Sequence, residues 1–429
     1  MAVFFPSFFG SCSQHEAPRS DMTRQALIAG GGIGALAAAL AAARAGWEVR
    51  VYEQADAFSE VGAGIQLGPN ATRLLQGWGL GRALSQVAAF PEQLSVRSAS
   101  TGHELGRLAL GSRCTERYGA PYATLHRGDL HALLLASVSG RGEVHLNLNA
   151  PVAGFTNTPE GVQVAWADGH RVEGDVLIGA DGLWSAVRKQ VLADAPAQPT
   201  GHLAYRALVS QTKLPLALRS QQVNVWLGPH LHVVSYPVRA GEMLNVVVIL
   251  NGEPPADLED WDHAGLGADI QAGLAGQCPE LLALVEAMPA WRLWTLCERP
   301  PMHSPDQMAN GRVALLGDAA HPMRPYLAQG AGMAIEDAAE LGRCLSGVIR
   351  PLADVPLALR HYALQRWERN ARVQARALRN GQIFHATGPL RVGRDLALKL
   401  LGQRLLDVPW LYGESSAGST INSPRATRP

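Results

Sequence analysis

The chain has 429 residues, 47% of them hydrophobic and only 17% charged, with 37 Lys plus Arg against 37 Asp plus Glu. That length accommodates two or three domains, and the apolar fraction rules against a disordered chain. The zero formal balance argues against a general polyanion binder such as a nucleic-acid protein, and five scattered cysteines without a Cys-x-x-Cys pair argue against a disulfide framework or a zinc site.

Residues 1–21 open with an apolar stretch interrupted by Pro6 and lacking a basic start, so they read as an extension rather than a secretory signal. No apolar run is long and uninterrupted enough to span a bilayer, and a reducing, cytoplasmic setting is expected. A buried strand is predicted at 26–29. Gly30-Gly31-Gly32-Ile33-Gly34-Ala35 follows, then an Ala-rich helix to Arg44 and a second strand at 48–52 that ends at Glu53. This is a β–α–β unit with Gly-x-Gly-x-x-Ala at its first turn. Gly30 permits the tight turn, Gly32 lets backbone approach a pyrophosphate, and Ala35 packs helix on strand. Glu53 stands where a carboxylate takes adenosine ribose hydroxyls, which disfavours a 2′-phosphate and suits FAD or NAD.

A second short strand, 175–180, delivers Asp181-Gly182 to its carboxyl end. Asp181 alone reads equally well as a cap or turn residue. Two strands are predicted at 222–238 and 243–250, joined by the turn Arg239-Ala240-Gly241-Glu242. Alternation places His232, Val234 and Tyr236 on one face, with His232 and Tyr236 about 13 Å apart. A further strand at 313–316 ends in Gly317-Asp318-Ala319-Ala320-His321-Pro322. A loop then leads to a helix through Met333, Asp337 and Leu341. Asp318-x-x-His321 invites a metal, but no further ligands cluster near it, so no metal site is assigned. The C-terminal helix, 356–380, carries Arg360, Arg366, Arg369, Arg372, Arg376 and Arg379 at three- and four-residue spacing. That basic stripe reads as a solvated face or a homodimer contact rather than a nucleic-acid surface. The tail after 413 is expected to be mobile.

Three of these segments together resemble the fingerprints of the single-component, FAD-dependent aromatic hydroxylases: Gly30 to Ala35, Gly179-Ala180-Asp181-Gly182, and Gly317 to Pro322. They occur in that family's order and span nearly the whole chain. Shorter matches are Val61 to Asn70, His126-Arg127-Gly128-Asp129-Leu130, and Ala328-Gln329-Gly330-Ala331-Gly332 with Glu336-Asp337. The resemblance implies that Gly30, Gly32, Gly34 and Glu53 hold the adenylate half of FAD and that Arg127 reaches the cofactor. It places Asp181 near the pyrophosphate, Asp318 on the ribityl chain, and Gly330, Ala331 and Gly332 beside the flavin ring. The segment Gly228 to Pro237 is similar to the substrate strand of 3-hydroxybenzoate 6-hydroxylases, which implies catalytic roles for His232 as proton acceptor and Tyr236 as orienter. Pro325 departs from those enzymes, and Arg324 is either a partner for a substrate carboxylate or a solvated side chain.

The expected fold is α/β: a Rossmann-like FAD-binding domain (22–195 and 296–350), an inserted β-rich substrate domain (196–295), and a helical C-terminus (351–413). The implied activity is hydroxylation of a small phenolic acid by O₂, with NADH or NADPH as transient co-substrate. Salicylate is ranked ahead of 3-hydroxybenzoate and 6-hydroxynicotinate, with a non-oxygenating flavin dehydrogenase as the other class.

Overall fold

The computed structural model describes residues 24–58, 63–260 and 263–413. Residues 1–21, Cys12, Val61, Gly62 and the tail from 414 lie outside the described residues.

The strand Gln25–Ala29 is buried along its whole length, as expected of a central strand in a parallel sheet covered on both faces. It pairs in parallel with Glu48–Tyr52 on one side and Val176–Gly179 on the other. Val144–Asn147 and Val313–Leu315 extend this sheet in parallel, and Ala309–Asn310 closes one edge antiparallel. The strands that carry the three fingerprints are therefore neighbours, although they are far apart in the chain. The helix Ile33–Arg44 is mostly alanine because it is enclosed nearly all round. The helix Gly330–Ser346 lies so close to it that a Cβ on Gly342 would come within 2.9 Å of Ala41 Cβ.

A second sheet has eight strands, in the order His263–Gly265, Trp291–Glu298, Gln198–Ser210, Met243–Asn251, Leu231–Val238, Val223–Gly228, Gln93–Ser98 and Glu104–Ala109. Two of these, Gln93–Ser98 and Glu104–Ala109, come from within 22–195. The single strand expected over 222–238 is in fact two antiparallel neighbours, because Pro229-His230 makes a turn with His230 at φ 59°. The next turn is formed at 239–242 as expected, with Arg239 and Ala240 both at φ 52°. Positive φ at both positions is what joins twisted strands without splaying them.

The C-terminal helix runs Pro351–Phe384, longer than predicted, with Pro356 inside it. Proline cannot donate to the carbonyl four residues back. Arg312 compensates: its guanidinium donates to Leu352 O at 2.7 Å and to Pro351 O at 3.0 Å.

The arginine stripe on this helix is not a uniformly solvated face. Arg366 is completely buried and donates to Glu336 at 2.7 Å and Asp337 at 2.8 Å. Arg369 donates to both oxygens of Glu336, at 2.7 and 2.9 Å. Arg372 lies over the Trp410 ring, 3.9 Å from its centroid, while staying exposed, and the partly exposed Arg360 pairs with Asp306. Asn370 and the His321 ring complete the shell of Asp337. Among the described residues no helix is long and apolar enough to cross a membrane.

Burial alone would raise the pKa of Asp337, but His321 and Arg366 overcome it and hold the carboxyl below its usual range. A depressed carboxyl stabilises the fold fully above its unfolded pKa of about 4, and the contribution is lost as pH falls through the folded value. Asp337→Asn leaves Arg366 half-paired and is expected to lower stability by about 3–5 kcal/mol. Urea unfolding of apo- and holoprotein should show this loss at pH 7. Below about pH 4 the wild type should lose stability more steeply with acid than the variant does.

Candidate functional site

At the first turn, Gly30 has φ +102°, and a Cβ there would lie 2.4 Å from Ala180 O. Its N–H donates to Tyr52 O at 2.8 Å, so the turn is clamped between the first two fingerprint segments. A Cβ on Gly31 would come within 2.8 Å of Glu53 Oε2, which places that carboxylate directly against the turn. Glu53 Oε1 accepts from Ala55 N at 2.9 Å. The His131 ring supports the turn from behind through Gly31 O, at 2.8 Å. Gly32 is the extended N-cap of the first helix and offers no side-chain cap, so the helix's first N–H groups are left for another acceptor. Gly34 faces Leu316, whose Cδ2 would stand 3.0 Å from an added Cβ, and Ala35 is fully buried. Helix-to-strand packing is thus shared by Gly34 and Ala35. This turn, with its small residues and open helix terminus, fits the pyrophosphate and ribose of a dinucleotide.

Asp181 follows the strand Val176–Gly179 and serves its own turn. Its carboxylate accepts from Ser185 Oγ and from Val187 N at 3.1 Å, while Ser185 Oγ accepts from Arg188 N at 2.8 Å. Burial raises its pKa despite these bonds. Gly182, at φ +76°, faces open space. Arg188 then reaches the third segment, donating to Ala319 O at 3.0 Å and Ala320 O at 2.6 Å while pairing with Asp194.

Asp318 sits partly exposed in the one-turn 3₁₀ helix Gly317–Ala319, whose Gly317 N–H donates to Asp337 at 3.2 Å. His321 is bound to Asp337 rather than directed at a cation with Asp318, and no metal-holding group of three occurs among the described residues. Gly330 opens the helix Gly330–Ser346, again without a side-chain cap, and a Cβ on it would meet nothing within 4 Å. Ala331 is partly buried, and Gly332 lies 3.0 Å, measured from an added Cβ, from Gln329 Oε1. Arg127 begins the helix Arg127–Ser139, and its N–H donates to Ala63 O at 2.7 Å.

The second sheet presents its own site. His232, Val234 and Tyr236 share a face, as alternation predicts. Ile249, Val247 and Asn245 are opposite them on the next strand, and Ala204, Arg206 and Leu208 lie on the one beyond. His232 is 2% exposed, and its Nδ1 is 2.8 Å from His385 Nε2. The rings of Tyr326 and Phe384 meet it edge-on, at 5.0 and 5.4 Å between centroids. Burial, then the neighbouring His385 and His202, press its pKa well below the usual value, so the imidazole is neutral. Tyr236 sits at the other end of this face, its ring so close to Gly64 that a Cβ there would lie 2.6 Å away. Burial raises its pKa, with Arg206 opposing, and the phenol stays protonated. Asn245 accepts from Gly64 N at 2.8 Å, and its buried Nδ2 has no partner among the described residues.

Arg206 is 7% exposed on this same face, with its guanidinium 5.1 Å from the centroid of Trp294. Arg206, Asn245, Tyr326 and His385 were not singled out from sequence as site residues. Alternation along 198–210 could have placed Arg206 on a sheet face, but nothing local marks which face. Arg324 is neither solvated nor available as a simple carboxylate partner: Glu298 holds it at 2.7 and 2.8 Å.

With this geometry in view, the family profile described as FAD binding domain matches residues 23–377. A 3-hydroxybenzoate 6-hydroxylase of Polaromonas naphthalenivorans (strain CJ2) is 39% identical over 390 residues, covering 90% of this chain and 95% of that protein. A 6-hydroxynicotinate 3-monooxygenase of Bordetella bronchiseptica is 36% identical over 352 residues, covering 81% and 88%. The crystal structure of Klebsiella pneumoniae HpxO complexed with FAD and uric acid matches with a TM-score of 0.78 at 28% identity, over 89% of this chain and 95% of that one. The chain belongs to this FAD-binding family, and it is a FAD-dependent aromatic hydroxylase.

Two glycine substitutions separate folding from cofactor binding. Gly330→Ala has room for its methyl in the protein, so apoprotein stability should stay within about 0.5 kcal/mol of wild type. FAD affinity, read by fluorescence titration, should nevertheless fall if the flavin packs against this helix start. Gly30→Ala meets Ala180 O and a forbidding φ, and should lose both stability and flavin.

Proposed function

We propose that this hydroxylase acts on a small monocyclic hydroxy acid, with 3-hydroxybenzoate ahead of salicylate and 6-hydroxynicotinate. The expectation that salicylate ranks first gives way to 3-hydroxybenzoate, because related enzymes carry that substrate in their names. The observation that carries the proposal is the shared face on which His232, Tyr236 and Arg206 surround Val234 and Val247.

In this reading the ring lies on the two valines. His232, buried and neutral, presents Nε2 as the acceptor for the ring hydroxyl's proton, because its Nδ1 is engaged by His385. Removing that proton raises electron density on the ring carbons ortho and para to the oxygen. Tyr236 keeps its own proton and donates to the substrate, and the Asn245 amide adds a second donor. Arg206 receives the carboxylate as the buried cation of this face.

FAD would be held by the turn at Gly30, Gly32 and Gly34, by Glu53 at the adenosine ribose, and by Arg127. Asp318 would take the ribityl chain, and the helix start at Gly330, Ala331 and Gly332 would back the ring. Asp181 contributes by shaping the turn beneath the pyrophosphate. Once bound, FAD would supply the redox and oxygen chemistry that a nicotinamide dinucleotide and O₂ need to hydroxylate the ring. The protein's part is to orient the ring, hold its proton and exclude water.

A panel of 3-hydroxybenzoate, salicylate and 6-hydroxynicotinate, assayed for NADH-dependent O₂ uptake with product identification, tests this ranking. The expected outcome is 2,5-dihydroxybenzoate from 3-hydroxybenzoate, at one O₂ per NADH. NADH oxidation that yields only hydrogen peroxide with 3-hydroxybenzoate would overturn it. His232→Ala should keep its FAD and lose roughly 10²-fold or more in hydroxylation rate.

A further inference from the structure

His385 stands 153 residues from His232 in sequence, yet the two rings share a buried hydrogen bond of 2.8 Å. It is the C-cap of the helix Pro351–Phe384, and its backbone is held on both sides. Its N–H donates to Gly381 O at 3.1 Å, and its carbonyl accepts from His230 N at 3.3 Å. The residue is 9% exposed, and its ring is tilted against His202 at 4.8 Å between centroids and against Tyr326 at 5.9 Å. Only Nε2 is used, since Nδ1 has no partner among the described residues.

The groups around this ring come from several elements. His202 lies on the strand Gln198–Ser210, His230 in the turn after Val223–Gly228, and Tyr326 in the loop that leads to Gly330. Arg324 faces it while paired with Glu298, and Arg394 faces it while donating to Phe384 O at 2.7 Å. Burial and this cationic or neutral company drive the His385 pKa down to about 3. His385 is therefore a neutral imidazole with one donor and one acceptor nitrogen. Two tautomeric arrangements of the pair exist. When His232 donates from Nδ1, its Nε2 carries a lone pair into the pocket. When His385 donates instead, His232 Nε2 carries a proton and cannot accept another.

We propose that His385 is a positioning residue for the hydroxylation, accepting the Nδ1–H of His232 so that His232 Nε2 takes the proton of the substrate's ring hydroxyl. This inference rests on the reading that His232 is the proton acceptor. The substrate O–H bond breaks, its electron pair stays on oxygen, and an N–H bond forms at His232 Nε2. The Nδ1–H···Nε2 bond strengthens as His232 becomes an imidazolium, because a charged donor makes the stronger bond. As the ring regains aromaticity, the hydroxylated carbon gives up its own proton to solvent, its C–H electron pair re-forms the π system, and the proton on His232 returns to the original oxygen.

The test compares His385→Gln, whose amide oxygen can still accept from His232 Nδ1, with His385→Leu, which cannot. Both are prepared as holoenzymes with 3-hydroxybenzoate as the probe. Flavin content should match wild type, and KM should change less than kcat. For His385→Leu, kcat should fall by roughly tenfold or more, part of the 10²–10⁴ that a general base supplies. Ultraviolet difference spectra against pH should show the bound phenol ionising at higher pH in His385→Leu, and His385→Gln should restore much of both. Equal impairment of Gln and Leu with an unshifted phenol ionisation would overturn the proposal, as would a fully active Leu variant. ¹⁵N-histidine spectra of the unsubstituted holoenzyme read the tautomer directly, and a proton on His232 Nε2 with none on Nδ1 would also overturn it. His232→Ala separates the two ideas. If it leaves the bound phenol's ionisation unchanged, the reading of His232 itself fails; if it shifts that ionisation while His385→Leu does not, only the role of His385 fails.

Discussion

Two adjacent acids, Glu336 and Asp337, are buried with two arginines from a different helix, and the architecture of both sites depends on that neutralisation. Each charge would be costly alone in the interior, and the group is tolerable because two negatives meet two positives through several charge-assisted hydrogen bonds. The same oxygens also hold backbone. Asp337 receives the Gly317 N–H and the His321 ring, which fixes the turn carrying Asp318. Glu336 receives Asn70, which also bonds Gln329 at 3.0 Å and so fixes the start of the helix at Gly330. Arg369 extends the network to Trp410 O and Leu411 O at the C-terminal end of the described chain. Replacing such a cluster with well-packed apolar side chains could match its stability, but would not hold these turns.

The long helix anchored by Arg366 also shapes the substrate end. Gln374 donates to Pro322 O at 2.8 Å and Asn380 to Tyr326 O at 3.0 Å, so the loop between the third fingerprint and Gly330 is tied down along the helix. A Cβ on Gly381 would fall 2.5 Å from the Tyr326 ring. The absence of a side chain there lets that ring reach His232. One turn further on, the same helix delivers Phe384 and His385 to His232. Cofactor-side turns and substrate-side rings are thus set by a single rigid element.

What could be read from sequence follows from the range of the forces involved. The turn at Gly30 is local, since strand, glycines, helix and Glu53 lie within one supersecondary unit, and each residue's role follows from its neighbours. Alternation likewise placed His232 and Tyr236 on one face. The arginine stripe misled because a three- and four-residue spacing describes one helix face, whether water or a buried acid lies opposite. Glu336 and Asp337, the residues that decide the matter, are about 30 positions upstream on another helix. Splitting 222–238 into two strands was signalled by Gly228-Pro229, a breaker outweighed by the apolar run around it. His385 carries no local mark at all, because its meaning comes from the tertiary approach of the helix end to the sheet.

The electrostatics of the substrate face also bear on which acid it takes. Arg324 is paired with Glu298, and Arg206 is a buried arginine on this face. Arg206 lies two strands across from Val234, roughly 9–10 Å at the backbone, and Val234 is midway between His232 and Tyr236. With the roles proposed for His232 and Tyr236, the proton acceptor, the phenolic donor and the cation would approach a bound ring from three directions. A ring with hydroxyl and carboxylate on adjacent carbons bonds them to each other and presents both to one side. A ring that separates them by a further carbon can meet His232 with its hydroxyl and Arg206 with its carboxylate at once. In the proposed reading, that separation suits a meta acid better than an ortho acid.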